Sequence, residues 1–135
     1  MPIPGDYQFR ALHHGHPIQR AWHRGKLEAV RRIAPPAKGS LVLDAGCGSG
    51  VLADMLAGMG ARVLGVDWSA QAIEFARDAY GRPGVDFVCA SLLDFQGGPF
   101  DAVYCLECVE HFPPEEIVRL LKRLASLVDS EGRLF

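Results

Sequence analysis

Residues 41–50 read Leu-Val-Leu-Asp-Ala-Gly-Cys-Gly-Ser-Gly. An apolar run ends in an acid, Asp44, and glycines follow at alternate positions, Gly46, Gly48 and Gly50. An apolar helical pattern then opens at Val51 and Leu52. This order predicts a buried strand over 41–45, a tight turn and a helix. A backbone without Cβ reaches dihedrals closed to other residues and lets a ligand come close to the main chain. The first N–H groups of the helix have no partner inside it and point into the turn. The rest of the chain can be placed relative to this unit.

The pattern repeats downstream. The helix over 51–58 closes at Gly58-Met59-Gly60, and a strand follows over 62–66. Ser69 caps a helix through Tyr80, and Gly81-Arg82-Pro83-Gly84 breaks the chain. Strands are expected over 85–90 and 100–105, separated by a loop at 96–99. Pro113-Pro114-Glu115-Glu116 opens another helix, with proline near its first position and acids in its first turn. Ile117, Leu120, Leu121, Leu124, Leu127 and Val128 form its apolar face. Residues 129–132 read as a turn, and a fifth strand starts at 133–135. Apolar strands alternating with helices imply an α/β fold, a doubly wound parallel sheet of about five strands with right-handed crossovers. Ligands of such sheets bind at the carboxyl ends of the strands. That edge holds Asp44, Asp67, Ser91 and Cys105. A sheet that stops at the fifth strand leaves an open edge, which further chain or a second copy in a homodimer would cover.

The organisation is a basic helical arm over 1–38 and a domain over 39–135. Residues 1–6 read as extended, a short helix is expected over 7–14, and Pro17 opens a longer one that Pro35-Pro36 ends. Ile18, Ala21, Trp22, Ala29, Val30 and Ile33 recur at helical spacing and give the longer helix one apolar face. The arm carries seven Lys/Arg against two Asp/Glu, the domain seven against fourteen. Such an arm faces an anionic substrate or packs on its own acidic domain. His13, His14, His16 and His23 cluster in it, but adjacent His13 and His14 point apart on a helix, which favours a polar surface that touches substrate over a metal site. The four cysteines, Cys47, Cys89, Cys105 and Cys108, fall in or beside strands rather than at disulfide spacings, as expected of reduced thiols in the cytoplasm. Residues 1–5 lack the basic and apolar segments of a leader, and no apolar run approaches the ~20 residues that span a membrane.

Asp67 stands 23 residues after Asp44, in Gly65-Val-Asp-Trp-Ser69. An acid about 20 residues past a glycine turn accepts hydrogen bonds from ribose hydroxyls in dinucleotide folds. Trp68 beside it offers an aromatic face to an adenine. The glycine spacing is Asp-x-Gly-x-Gly-x-Gly, not Gly-x-Gly-x-x-Gly, and no lysine follows to make a phosphate-cradling loop. An acid at the turn repels a pyrophosphate and suits an ammonium or sulfonium.

Residues 41–50 together with 65–69 resemble the first two motifs of class I S-adenosylmethionine-dependent methyltransferases, and the likeness extends over about 39–135. The resemblance implies a Rossmann-like sheet with the methionine part of the cofactor beside Asp44, Ala45, Gly46, Cys47, Gly48 and Gly50. It assigns Asp67 to the ribose hydroxyls and Trp68 to the adenine. The family usually has Asp where this chain has Ser91; a hydroxyl still accepts from the adenine amino group, and the Leu92 N–H meets a ring nitrogen. Cys105 and Leu106 are implied near the methionine and the reactive sulfur. Methyl transfer from a sulfonium needs alignment and, for some acceptors, removal of a proton.

The segment Glu107-Cys108-Val109-Glu110-His111 is similar to a string in small-RNA 2′-O-methyltransferases and ubiquinone-pathway O-methyltransferases, where it binds a metal. If 107–111 is a helical turn, Glu107, Glu110 and His111 share a face and are suitable ligands for a divalent metal. Otherwise His111 serves as catalytic base or substrate contact. The expected activity is O-methylation of a small metabolite or an RNA end. The alternatives are a binding module for the same cofactor without transfer, and a nicotinamide-dependent oxidoreductase, against which the glycine spacing argues.

Overall fold

The computed structural model describes residues 3–135. Five parallel strands make one sheet, in the order β3-β2-β1-β4-β5. They are β1 (Leu41–Ala45), β2 (Arg62–Asp67), β3 (Val85–Cys89), β4 (Phe100–Tyr104) and β5 (Val128–Leu134). The helices are α1 (Tyr7–His13), α2 (Pro17–Ile33), α3 (Val51–Gly58), α4 (Ala70–Tyr80) and α5 (Pro114–Leu127), with a 3₁₀ turn at Val109–His111. Of the extended start expected over 1–6, residues 1 and 2 lie outside the described range, and Gly5 and Asp6 form a turn.

Alternation along each strand sends side chains to two cores. Val42, Val63, Phe87 and Tyr104 pack with α3, α4 and the end of α2 on one face. Leu43, Ala45, Val66 and Val103 pack with α5 and the β3–β4 loop on the other. The sheet is therefore covered on both sides, as the apolar strands require. Strand order reverses between β1 and β4, so the switch point lies at their carboxyl ends. Ser69 caps α4 by accepting from the Ala72 N–H at 3.2 Å. Asp101 ties the starts of β1 and β4 together by accepting from the Leu41 N–H at 2.8 Å.

Two expectations are corrected. β5 begins at Val128, directly after α5, rather than at residue 133. The turn chemistry at 129–132 is present but sits inside the strand as a bulge. Val128 pairs with Phe100, the Asp129 carboxylate accepts from the Glu131 N–H at 3.2 Å, and pairing resumes at Arg133 opposite Ala102. The apolar face of α2 is also rotated. Ile18, Trp22 and Ile33 are 75%, 64% and 82% exposed, and only Val30 of the expected set is buried. The docked face is instead His23, Lys26, Leu27 and Val30, which recur at three- and four-residue steps. The long-range anchor is the buried Tyr104 hydroxyl, which donates to the Ala34 carbonyl at 2.6 Å just past the end of α2. Tyr104→Phe should therefore destabilise the chain by about 1–2 kcal/mol, because the Ala34 carbonyl loses its buried partner. Urea titration would show this as a lower midpoint at unchanged slope.

Candidate active site

The glycine turn has the backbone its sequence demands. Gly46, Gly48 and Gly50 have φ of 74°, 52° and 89°, in the left-handed region that favours glycine. Gly50 caps α3, and a Cβ there would sit 3.0 Å from both Ala76 Cβ and Phe87 Cζ. At Gly48 a Cβ would meet the Gln8 amide of α1 at 2.6 Å, so the arm lies directly on the turn. The Phe9 N–H reinforces this by donating to the buried Ser49 hydroxyl at 3.0 Å.

Two acids define two ends of the site. Asp44 closes on a cleft shared with Gly46, Cys47 and Leu106 and roofed by Gln8, His23 and Lys26. Its carboxyl is 2% exposed, and Oδ2 has no hydrogen-bond partner. Burial, then the charge of Asp67, pushes it up to about 7, against a backbone hydrogen bond at Ala53. The same burial raises the Cys47 thiol, which stays protonated. Asp67 lines a second cleft with Gly46, Trp68, Ser91, Leu92 and His111. Its two oxygens accept from the Gly48 and Ser69 N–H groups, both at 2.9 Å. A carboxylate has about four acceptor positions, so two remain for a ligand. Trp68 is 77% exposed, with its ring free for stacking. Leu92 is buried, while Ser91 is exposed and accepts from the Leu93 N–H at 3.3 Å.

Gly46 belongs to both clefts, so one elongated ligand can lie across it with a cationic end at Asp44 and a hydroxyl-bearing end at Asp67. Ala45 is fully buried in β1, and Gly48 and Gly50 act through the shape of the turn. Cys105 lines neither cleft; its N–H donates to the Phe135 carbonyl at 2.8 Å.

The expected convergence of Glu107, Glu110 and His111 does not occur. Glu107 has a φ of 53°, the one positive φ outside glycine among the described residues. That left-handed step turns its side chain toward α2, where it pairs with Lys26 and accepts from Trp22 Nε1 at 3.3 Å. Partial burial works against its charge, but Lys26 and Trp22 hold its carboxyl below the ordinary range. His111 instead follows a 3₁₀ turn onto the Asp67 side, away from Asp44. Among the described residues no group of three or more His, Cys, Asp or Glu could hold a metal. The residues present therefore do not fit the metal implied by the string at 107–111.

Several lining residues escape sequence reasoning. Gln8 and Lys26 come from the arm and Cys108 from the loop after β4, whereas His23 belongs to the histidine cluster expected on a polar, substrate-facing surface. Burial, and next Lys26, lowers the His23 pKa, against the pull of Glu107. The helical spacing of His23, Lys26, Leu27 and Val30 was the available signal for the arm residues.

Known proteins resemble this chain in sequence and in fold. A family model described as "Methyltransferase domain" matches residues 42–132. A ubiquinone biosynthesis O-methyltransferase of Thiobacillus denitrificans is 39% identical over 123 residues, covering 87% of this chain and 50% of the relative. One from Xanthomonas axonopodis pv. citri is 40% identical over 116 residues, covering 82% and 47%. The chain thus spans about half the length of the curated relatives it matches. A magnesium protoporphyrin IX methyltransferase of Synechocystis, solved with bound SAM, superposes with a TM-score of 0.75 at 32% identity, covering 93% of this chain and 66% of that one.

Proposed function

The chain belongs to the methyltransferase domain family, of the class I S-adenosylmethionine-dependent kind, and from this premise we propose that it binds S-adenosylmethionine and methylates a hydroxyl of a small metabolite. The observation that carries the cofactor assignment is the buried, unpartnered Oδ2 of Asp44 across Gly46 from Asp67. An orphaned buried carboxyl is costly unless a ligand pairs it. The methionine ammonium supplies that partner. Asp67 then accepts from the two ribose hydroxyls, Trp68 covers the adenine, and Ser91 and the Leu92 N–H meet its polar edge.

When bound, the cofactor supplies an activated methyl on a sulfonium. The chain's share of the work is alignment. Leu106, after β4, lies beside Asp44 and Gly46 and would bound the reacting end of the site. Gln8, His23 and Lys26 cover the same end from the arm and would exclude water from it. His111 stands on the adenosine side, which favours a cofactor contact over the role of base. No step is routed through a metal, because the Glu107 carboxylate is committed to Lys26 and Trp22.

The choice of oxygen as acceptor rests on the relatives, ubiquinone biosynthesis O-methyltransferases. The choice of a metabolite over an RNA end rests on the arm, part of whose charge is turned inward at Lys26. A cytoplasmic setting fits the four unpaired cysteines, and no helix among the described residues is long and apolar enough to cross a membrane.

Calorimetry tests the cofactor assignment. S-adenosylmethionine and its demethylated product, S-adenosylhomocysteine, should bind with micromolar affinity, on the order of −8 kcal/mol, and NAD should not. Binding of NAD but of neither sulfur compound would overturn it. Transfer of labelled methyl to a panel of phenols and catechols then tests the activity. Binding without transfer to any of them would favour the module reading.

A further inference from the structure

No chemical role in cofactor binding falls to the thiols of Cys105 and Cys108, yet their placement is specific: Cys108 lines the Asp67 cleft, and Cys105 lies three residues before it. The Cys108 side chain belongs to the buried cluster under the carboxyl end of the sheet, and that of Cys105 packs against it. Cys105 is half-buried at the end of β4, and Cys108 is buried at the start of the 3₁₀ turn. The two residues between them bend the chain through the left-handed Glu107, so that the two thiols, three residues apart, meet the same cluster. Two cysteines three residues apart across such a bend can close a bond by a shift within the loop, leaving β4 in place. Neither other cysteine is so placed. Cys47 is 2% exposed, and Cys89 donates to the Trp68 carbonyl at 3.4 Å on the adenine side.

The loop also touches the cofactor site. A Cβ on Gly46 would stand 3.0 Å from both Cβ and Sγ of Cys108, so that side chain abuts the backbone shared by the two clefts. Leu106 and Glu107, inside the loop, face the Asp44 cleft. Any change in the Cys105–Cys108 geometry is passed directly to these groups.

We propose that Cys105 and Cys108 form a hydroperoxide-reactive dithiol, and that closing it to a disulfide weakens cofactor binding at the adjoining glycine turn. The chemistry rests on the two thiols alone, whereas its effect on the cofactor rests on the function proposed above. Cys105, the more accessible, attacks one peroxide oxygen. The O–O bond breaks, an S–O bond forms, and the first water leaves. The Cys108 sulfur then attacks Cys105. The S–O bond breaks, the S–S bond forms, and the second water carries off the Cys108 proton. Two thiols are oxidised, and one hydrogen peroxide is reduced to two waters.

Hydrogen peroxide is added to the reduced full chain, the reaction is quenched, and unreduced peptides are mapped by mass. The expected product joins Cys105 to Cys108 with loss of two hydrogens, and Cys89→Ser leaves it unchanged. Cys108→Ala should stop at a sulfenic acid on Cys105 that dimedone traps. The oxidised chain should bind S-adenosylhomocysteine about tenfold more weakly, with recovery in dithiothreitol. By reciprocity, saturating S-adenosylhomocysteine should raise the dithiol's reduction potential by about 30 mV. A bridge through Cys47 or Cys89, no internal bridge, or a Cys105–Cys108 bridge with unchanged affinity would each overturn the proposal. If the reduced chain does not bind S-adenosylhomocysteine, the function proposed above fails, and the peptide map still decides the dithiol.

Discussion

Asp67→Ala should weaken S-adenosylhomocysteine binding by roughly a hundredfold or more, ~3 kcal/mol, in calorimetry. Two losses add. The ribose hydroxyls lose a charged acceptor, worth about 1.5–3 kcal/mol for each hydrogen bond made. The turn loses the group that receives the Gly48 and Ser69 N–H groups at 2.9 Å, so the ligand meets a less ordered cradle. Asp67→Asn should fall between, because its one amide oxygen cannot replace both carboxylate oxygens and its NH₂ opposes an N–H donor. Trp68→Ala should cost less, about fivefold, since the ring is 77% exposed and contributes one stacking face. Wild-type affinity in Asp67→Ala, with an unchanged melting temperature, would remove the ribose assignment.

The parts of this molecule that were legible in the sequence are those fixed by local chemistry. The run Leu41–Ala45 with its alternate glycines specifies strand, turn and helix without help from the rest of the chain. Ser69 caps α4 because its hydroxyl reaches the Ala72 N–H whatever surrounds it. Legibility fails where tertiary contacts choose among local options. On α2 two apolar stripes compete, and the one with Trp22 looks stronger by composition. The stripe with Leu27 and Val30 wins because Lys26 finds Glu107 and the Tyr104 hydroxyl takes the Ala34 carbonyl. Residues 129–132 have turn chemistry, but β4 pairs on either side of them and makes them a bulge. Glu107, Glu110 and His111 fit a metal by spacing. A left-handed backbone step, which spacing does not encode, sends Glu107 to the arm. That the arm caps the substrate side was legible from its charge, but which of its faces meets the glycine turn was hidden for the same reason.

Affinity for S-adenosylhomocysteine should fall about thirtyfold between pH 8 and pH 5.5, and Asp44→Asn should abolish that dependence. With its pKa pushed up to about 7 by burial and by the charge of Asp67, Asp44 is mostly ionised at pH 8 in the free chain. At pH 5.5 it is mostly protonated. An ammonium beside Oδ2 binds the ionised form, so each pH unit below 7 costs up to about tenfold. Methylthioadenosine, which lacks the amino-acid part, should not show this limb; a limb of equal depth would move its origin away from Asp44. The same shift acts on stability with the opposite sense. The folded pKa lies above the unfolded value of 3.8. The stabilisation from this group is therefore fully present below about pH 4 and lost as pH rises through 7. In the absence of ligand, Asp44→Asn should melt several degrees higher than the wild type at pH 8, and the gap should close toward pH 5. A substitution that merely damaged the fold would lower affinity and melting temperature together. Divergence of the two at pH 8 identifies Asp44 as a group held at a cost in the free chain for the cation it receives.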